Sequence, residues 1–301
     1  MRVTNNMIIS NTLYNLNRNL ARMDKRNTQL STGKRINRPS DDPVSTAKAL
    51  KLRADVSEID QYQRNTKDAL SWLDITESAI DNLQDVIHRA KELTVQASSE
   101  TFSKEDRQKV KAEIEQLRDH IIQIGNTSYA GRFIFSGFQT DKELFKDDGT
   151  YNIDTTNPQT IKYQIGIGEE IEAGVFGTKL FGGTGGAPGA TSEIIEDFNQ
   201  LINYLDTDDT SGISGYSKIL DKHLNNALSV RAEIGAETNR LELVQNRLDK
   251  EQLNFKELLS ENEDVDMAET IMHLKMEESV YRASLSAGAR VIQPTLLDFI
   301  R

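Results

Sequence analysis

The sequence contains no cysteine, which removes disulfides, thiolate metal sites and cysteine nucleophiles together. It also lacks any run approaching the ~18 apolar residues of a membrane span, so a membrane partner finds no anchor in it. Aromatic residues make up only 6% and hydrophobic residues 37% of the 301 positions, lean for a single globule and better suited to elongated packing. Recognisable catalytic patterns are missing as well. The four histidines, His88, His120, His223 and His273, fall on separate helical patterns outside any HExxH arrangement and read as surface or interface positions. No Ser-His-Asp set or pair of acids is placed by spacing, so the expectation is a protein that is not an enzyme and needs no cofactor or metal. Asp206, Asp208 and Asp209 in LDTDDTSG lack the length and closing Glu of a calcium loop and read as a turn. The glycines of FGGTGGAPGA lack the Lys-Ser/Thr of a phosphate loop and read as a solvated loop.

Charge is unevenly spread. The net charge is -11, yet residues 1–40 hold eight Lys or Arg against a single Asp, a basic arm on an acidic body. That arm has Tyr14 as its only aromatic and matches no nucleic-acid module, which argues against nucleic acid as a partner. The first twenty residues include six asparagines and an apolar run of only Met7 to Ile9, so they do not read as a general secretory signal, and any export would use another route.

The five prolines stand at 39, 43, 158, 188 and 294, and between Pro43 and Gly125 there is neither proline nor glycine. Such a stretch predicts long helices. Asp42 can cap a helix that opens at Pro43, since proline is preset for the first helical position. Ile80, Leu83, Ile87, Ala90, Thr94 and Ala97 keep heptad steps, as do Val110, Ile114, Leu117, Ile121 and Ile124. The polar SSETFSKEDR between them, with Ser103 as a new cap, divides helices over about 43–99 and 104–126. From Gly125 to Gly215 the pattern changes to alternation. GRFIFSGF and TIKYQIGIGEEIEAGV read as strands, with Ile161, Tyr163, Ile165 and Ile167 on one face and Ile171, Ala173 and Val175 after a turn. A helix returns over about 217–260 on Leu241, Val244, Leu248, Glu251, Phe255 and Leu258, placed to run antiparallel to the Pro43 helix.

The two ends carry the strictest spacing. Ile9, Leu13, Leu16, Leu20, Met23, Asn27 and Leu30 form one stripe; Met267, Ile271, Leu274, Glu278, Tyr281 and Leu285 form the other. Asn27 on the stripe either fixes register or is merely tolerated. A lone helix with so narrow a stripe is marginal in water, so both ends are expected to fold only when several subunits pack together. Between the first stripe and the Pro43 helix lies QLSTGKRINRPSDDP, a basic, proline-bounded linker comprising Gly33, Lys34, Arg35, Asn37, Arg38, Pro39, Asp41, Asp42 and Pro43. Lys34, Arg35 and Arg38 are candidates to reach acidic surfaces of neighbouring subunits; alternatively they only keep the linker soluble.

QLSTGKRINRPSDDP and the following ALKLRADVSEIDQYQRN resemble the N-terminal signature of the bacterial flagellin superfamily, and the PSDDP form resembles its hook–filament junction members. VRAEIGAETNRLE and ENEDVDMAETIMHLKMEESVYRASLSAGARVIQPTLLDFIR resemble the matching C-terminal end, and GRFIFSGFQT its hairpin after the second helix. The resemblance covers about 1–145 and 215–301. It implies a mainly α fold, a long helical bundle built from both chain ends with a small inserted β subdomain. It implies a terminal coiled-coil domain from 1–42 plus 264–301, a bundle with a hairpin from 43–146 plus 199–263, and an outward β subdomain over 147–198. It further implies a structural flagellar protein that leaves the cell unfolded by type III export and assembles at the hook–filament junction. The implied partners are further copies of itself, the first junction protein, flagellin, and an export chaperone at the C-terminal segment, whose apolar end is Leu296, Leu297 and Phe299. A filament flagellin is the alternative, disfavoured by PSDDP, by the LLDFIR ending and by the short middle. A cytoplasmic coiled-coil scaffold would explain the heptads but not the paired terminal motifs.

Overall fold

In the computed structural model, residues 5–99, 102–156, 159–183 and 189–292 are described. The fold is mainly α, with seven helices and two short strand pairs among these residues. The chain forms two compact units, Met1–Glu58 with Glu251–Arg301, and Ile59–Lys250. The long helices α2 (Pro43–Ala97) and α6 (Thr210–Glu263) contribute residues to both.

Helix α2 opens at Pro43 as its local chemistry dictates: the Asp42 carboxylate accepts the Ser45 N–H at 3.1 Å. Within the second unit the heptad positions Ile80, Leu83, Ile87, Ala90, Thr94 and Ala97 are all buried, as are Leu241, Val244 and Leu248 of α6. Ion pairs from Lys91 to Asp221 and from Arg231 to Glu77 and Asp81 step in opposite directions along the two helices, which fixes them antiparallel. Helix α3 (Lys104–Gly125) begins at the expected cap, with Ser103 Oγ accepting the Asp106 N–H at 3.2 Å, and buries Val110, Ile114, Ile121 and Ile124.

The middle of the chain departs from its alternating pattern. Only Arg132–Phe133 (β2) of GRFIFSGF is strand, paired with Ser128–Tyr129 (β1). Strands β3 (Lys162–Gly166) and β4 (Glu169–Glu172) pair, but a register shift between Gln164 and Gly166 breaks the alternation. Ile165 and Ile171 therefore go inside while Ile167, at the turn, is 86% exposed. Helices α4 (Gly177–Phe181) and α5 (Glu193–Thr207) lie in the segment read as strand and loop, and α6 starts at Thr210, ahead of Gly212 and Gly215. The reason is visible in α5: Ile194, Ile195, Phe198, Leu201, Ile202 and Leu205 are all buried, a helical face strong enough to override the neighbouring glycines. Asp208 takes a left-handed conformation at the end of α5, and the Asp209 carboxylate accepts the N–H groups of Ser211 and Gly212, so LDTDDTSG is an interhelical turn. Phe135, Phe145, Phe181 and Tyr151 stack with ring centroids 5.0–5.5 Å apart beside Gly125, where a Cβ would come within 2.4 Å of the Phe145 ring. The glycine-rich loop over 184–188 lies outside the described residues.

One buried cation ties three helix ends of this unit together. Arg107, 5% exposed, donates Nε to the Ala97 carbonyl at 3.0 Å, Nη2 to the Ser99 carbonyl at 3.1 Å and Nη1 to Asp208 at 2.6 Å. It satisfies the last carbonyl of α2 and that of Ser99 just beyond, stands in the first turn of α3 and pairs with the cap of α5. Arg107→Met keeps the apolar stem but removes the donor to the Ala97 carbonyl and the pair with Asp208, and is expected to destabilise the unit by about 1–3 kcal/mol. Urea unfolding followed by the fluorescence of Trp72, the chain's one tryptophan and buried in this unit, measures that loss; an unshifted midpoint contradicts it.

Candidate assembly site at the paired chain ends

The terminal unit is built on helices α1 (Asn5–Thr32) and α7 (Met267–Ile292). Helix α7 starts where Asp266 accepts the Glu269 N–H at 3.1 Å. Helix α1 ends at Gly33, whose φ of 69° is the left-handed conformation suited to glycine and whose N–H bonds back to the Gln29 carbonyl at 2.9 Å. The two helices run antiparallel. Thr12 meets Gly288, where a Cβ would lie 3.2 Å from the Thr12 methyl; Asn19 donates to Ser284 Oγ at 3.2 Å; Arg22 pairs with Glu277 at 2.9 Å.

These contacts place the seam beside the predicted stripes. The buried positions on α1 and α7 are Asn19, Gln29, Thr270 and Gly288, and Asn19, hydrogen-bonded to Ser284, is the polar residue that fixes register. Asn27 is exposed. Of the stripe residues, Ile9, Leu16, Leu20, Met23, Leu30, Leu274 and Tyr281 are half-buried, whereas Leu13, Met267, Ile271 and Leu285 are exposed. Leu20, Met23 and Asn27 nevertheless meet Leu274 and Glu278 along one open groove of about 500 Å³. The stripes thus flank the seam. Small and polar residues, Thr12, Asn19, Ser284 and Gly288, let the backbones approach, and Leu13, Met267, Ile271 and Leu285 are left exposed. Leu296, Leu297 and Phe299 lie outside the described residues.

The linker is a clasp. Arg35 N–H donates to the Glu263 carbonyl at 2.7 Å and Val265 N–H to the Gly33 carbonyl at 3.0 Å, so the segments entering and leaving the terminal helices pair as a short antiparallel bridge. Lys34 Nζ lies 2.6 Å from Asp264, and the Arg35 guanidinium donates to the Asn262 carbonyl at 2.9 Å. Asn262 in turn donates to the Ser45 carbonyl, and Asn37 to that of Lys34. Asp41 accepts the Arg38 N–H at 3.1 Å and pairs with Lys25 at 3.0 Å, while Asp42 caps α2. Glu263, 4% exposed, pairs with Arg53. Lys34 and Arg35 are therefore engaged within the chain. Among the described residues Arg38 alone of the three basic residues has no ion pair, and it lines a cleft with Pro39, Leu50, Arg53 and Glu263. Sequence spacing could not show this, because the partners of Lys34 and Arg35 lie 227–230 residues away.

No group of three or more His, Cys, Asp or Glu among the described residues could hold a metal, and no described helix is long and apolar enough to cross a membrane. His223 is buried against Asp197 at 2.6 Å, a contact between α5 and α6 that its spacing did not reveal.

Residues 3–140 match the family of the bacterial flagellin N-terminal helical region, and residues 217–300 match that of the C-terminal helical region. The chain is 29% identical to flagellar hook-associated protein 3 of Escherichia coli K12 over 95% of its own length and 96% of that protein. It is 30% identical to a flagellin of Bacillus subtilis 168, covering 97% of each. Its fold is shared, at 21% identity, with a putative flagellar hook-associated protein from Vibrio parahaemolyticus, covering 74% of this chain and 100% of that one with a TM-score of 0.66.

The clasp responds to acid in a defined direction. Lys34 beside Asp264, and Lys25 beside Asp41, hold these carboxyls below their ordinary value, and the bond from Ser45 does the same for Asp42. A carboxyl whose folded pKa is depressed stabilises the folded form above its unfolded value and loses that contribution as pH falls through the folded one. These carboxylates thus contribute to the clasp in full above about pH 4, and that contribution is lost as pH falls below it. Amide-exchange protection factors at Arg35 and Val265 should drop between pH 5 and pH 3; equal protection at both contradicts the role of these carboxylates.

Proposed function

Because the chain belongs to the bacterial flagellin family and is a structural protein of the flagellum, we propose that it is the adaptor between hook and filament, on which flagellin polymerises. The observation that carries the assembly reading is the apolar margin of the α1–α7 pair: Leu13, Met267, Ile271 and Leu285 stand exposed beside the seam. A single antiparallel pair buries one face of each helix, and the remaining apolar area finds cover only in neighbouring subunits. Ordering of the terminal helices is completed by that packing.

The choice of the junction over the filament rests on the PSDDP stretch, whose two aspartates are both used in the clasp. In this reading 1–42 with 264–301 form the terminal coiled coil, 43–146 with 199–263 the bundle, and 147–198 an outward β subdomain. The subunit passes through the flagellar export channel unfolded, held beforehand by a chaperone at its C-terminal segment. It then packs with copies of itself between the first junction protein and flagellin. Arg38 carries the outward electrostatic contact, since Lys34 and Arg35 are spent on the clasp. The absence of cysteine suits a chain that crosses the envelope unfolded.

Electron microscopy of cells deleted for this protein, with an assay for flagellin in the medium, tests the reading. Bare hooks with flagellin shed into the medium are expected. Normal filaments, or filaments missing because no flagellin is secreted, contradict it and identify an auxiliary or a principal flagellin instead.

A further inference from the structure

Methionine has an unusual distribution in this chain. All six methionines, at 1, 7, 23, 267, 272 and 276, lie in the terminal segments, and none lies between Asp24 and Asp266. The core of the other unit uses Leu, Ile, Val and Phe, and no methionine is buried among the described residues. Met272 and Met276 are 63% and 53% exposed. One helical turn apart, they share a face of α7 with Val280, and that face points away from the seam marked by Glu277, Ser284 and Gly288. Ser279, Ala283 and Ala287 continue it with small exposed residues, so an uncharged strip extends behind the seam as well as at its margins. Leucine would cover the same area. Methionine adds a polarisable thioether that oxidants reach while the face is open.

We propose that Met272 and Met276 form a modification site at which a hydroperoxide or hypochlorous acid blocks assembly of the free subunit. The inference rests on the assembly reading given above. In the step, the thioether sulfur takes one oxygen atom from the oxidant and becomes a sulfoxide. Sulfur is oxidised by two electrons, and hydrogen peroxide is reduced to water or hypochlorous acid to chloride. The product is polar and chiral where an apolar surface has to be buried. Once the subunit is built in, neighbours cover the sulfurs, so free chain is vulnerable and assembled chain is protected.

The test uses purified full-length chain, either untreated or exposed to hydrogen peroxide that is then removed, with sulfoxide located by peptide mass spectrometry. Each is added to cells lacking the protein, and restored filaments are counted by electron microscopy. Oxidised chain is expected to restore at least tenfold fewer filaments than untreated chain, and reduction by the two methionine sulfoxide reductases to recover them. In the M272L/M276L variant the ratio of oxidised to untreated counts should stay near one. Equal restoration by oxidised and untreated chain overturns the proposal, as does an equal loss in the Leu variant, which would place the lesion elsewhere. Untreated chain that restores nothing overturns the assembly reading itself, an outcome separate from any effect of oxidation.

Discussion

Two helices in contact can cover only one face of each other, and that limit governs the terminal unit. Helices α1 and α7 spend their contact on small and polar residues, Thr12 against Gly288 and Asn19 against Ser284. Close backbone approach follows, together with a fixed register, because a buried amide that must find its partner tolerates no slip. The cost is that Leu13, Met267, Ile271 and Leu285 are left at the edge of the seam, and Met272, Met276 and Val280 behind it. A monomer built for its own stability would have placed these side chains in the contact. The arrangement makes sense when the missing cover comes from other subunits, and the flagellin-family membership of the chain supplies the setting.

The clasp solves a different problem, that of bringing together chain ends separated by more than two hundred residues. Gly33, at a positive φ, turns the chain out of α1, and the backbone bonds between 33–35 and 263–265 bind the incoming and outgoing segments. Lys34 with Asp264 and Arg53 with Glu263 add charge complementarity at the same point. The exposed pair is worth little alone, whereas the buried Glu263 would be costly without its cation. A basic linker on an acidic chain is thus accounted for chiefly within the subunit, and only Arg38 is left to act outward.

Much of this was legible in the residues. Asp42-Pro43 and Ser103 marked two helix starts because their capping chemistry is local, and the heptads of α2, α3 and, as far as Leu248, α6 are buried or half-buried as read, because several turns of one face leave little ambiguity, whereas Leu258 at the end of the α6 stripe is exposed. The middle was misread where local alternation met a register shift between Gln164 and Gly166, and where the change of pattern was carried on to Gly215 although α5 and the start of α6 are helical. At the chain ends the stripes were recognised, but hydrophobic periodicity assigns the largest side chains to the contact. Here Thr12, Asn19, Ser284 and Gly288 share the contact with half-buried stripe residues such as Leu16, Met23, Leu274 and Tyr281, and only the pairing of the two helices reveals these small and polar partners.

The central claim is that the apolar margin of the terminal pair is open in the subunit and closed in the flagellum. With no native cysteine, single cysteines introduced at Leu13 or Leu285 give an unambiguous readout with a thiol-reactive label. Rapid labelling of purified subunit and strong protection in intact flagella are predicted at both positions. Labelling at equal rates in the two states would mean that no neighbour covers this margin, and the account would fail.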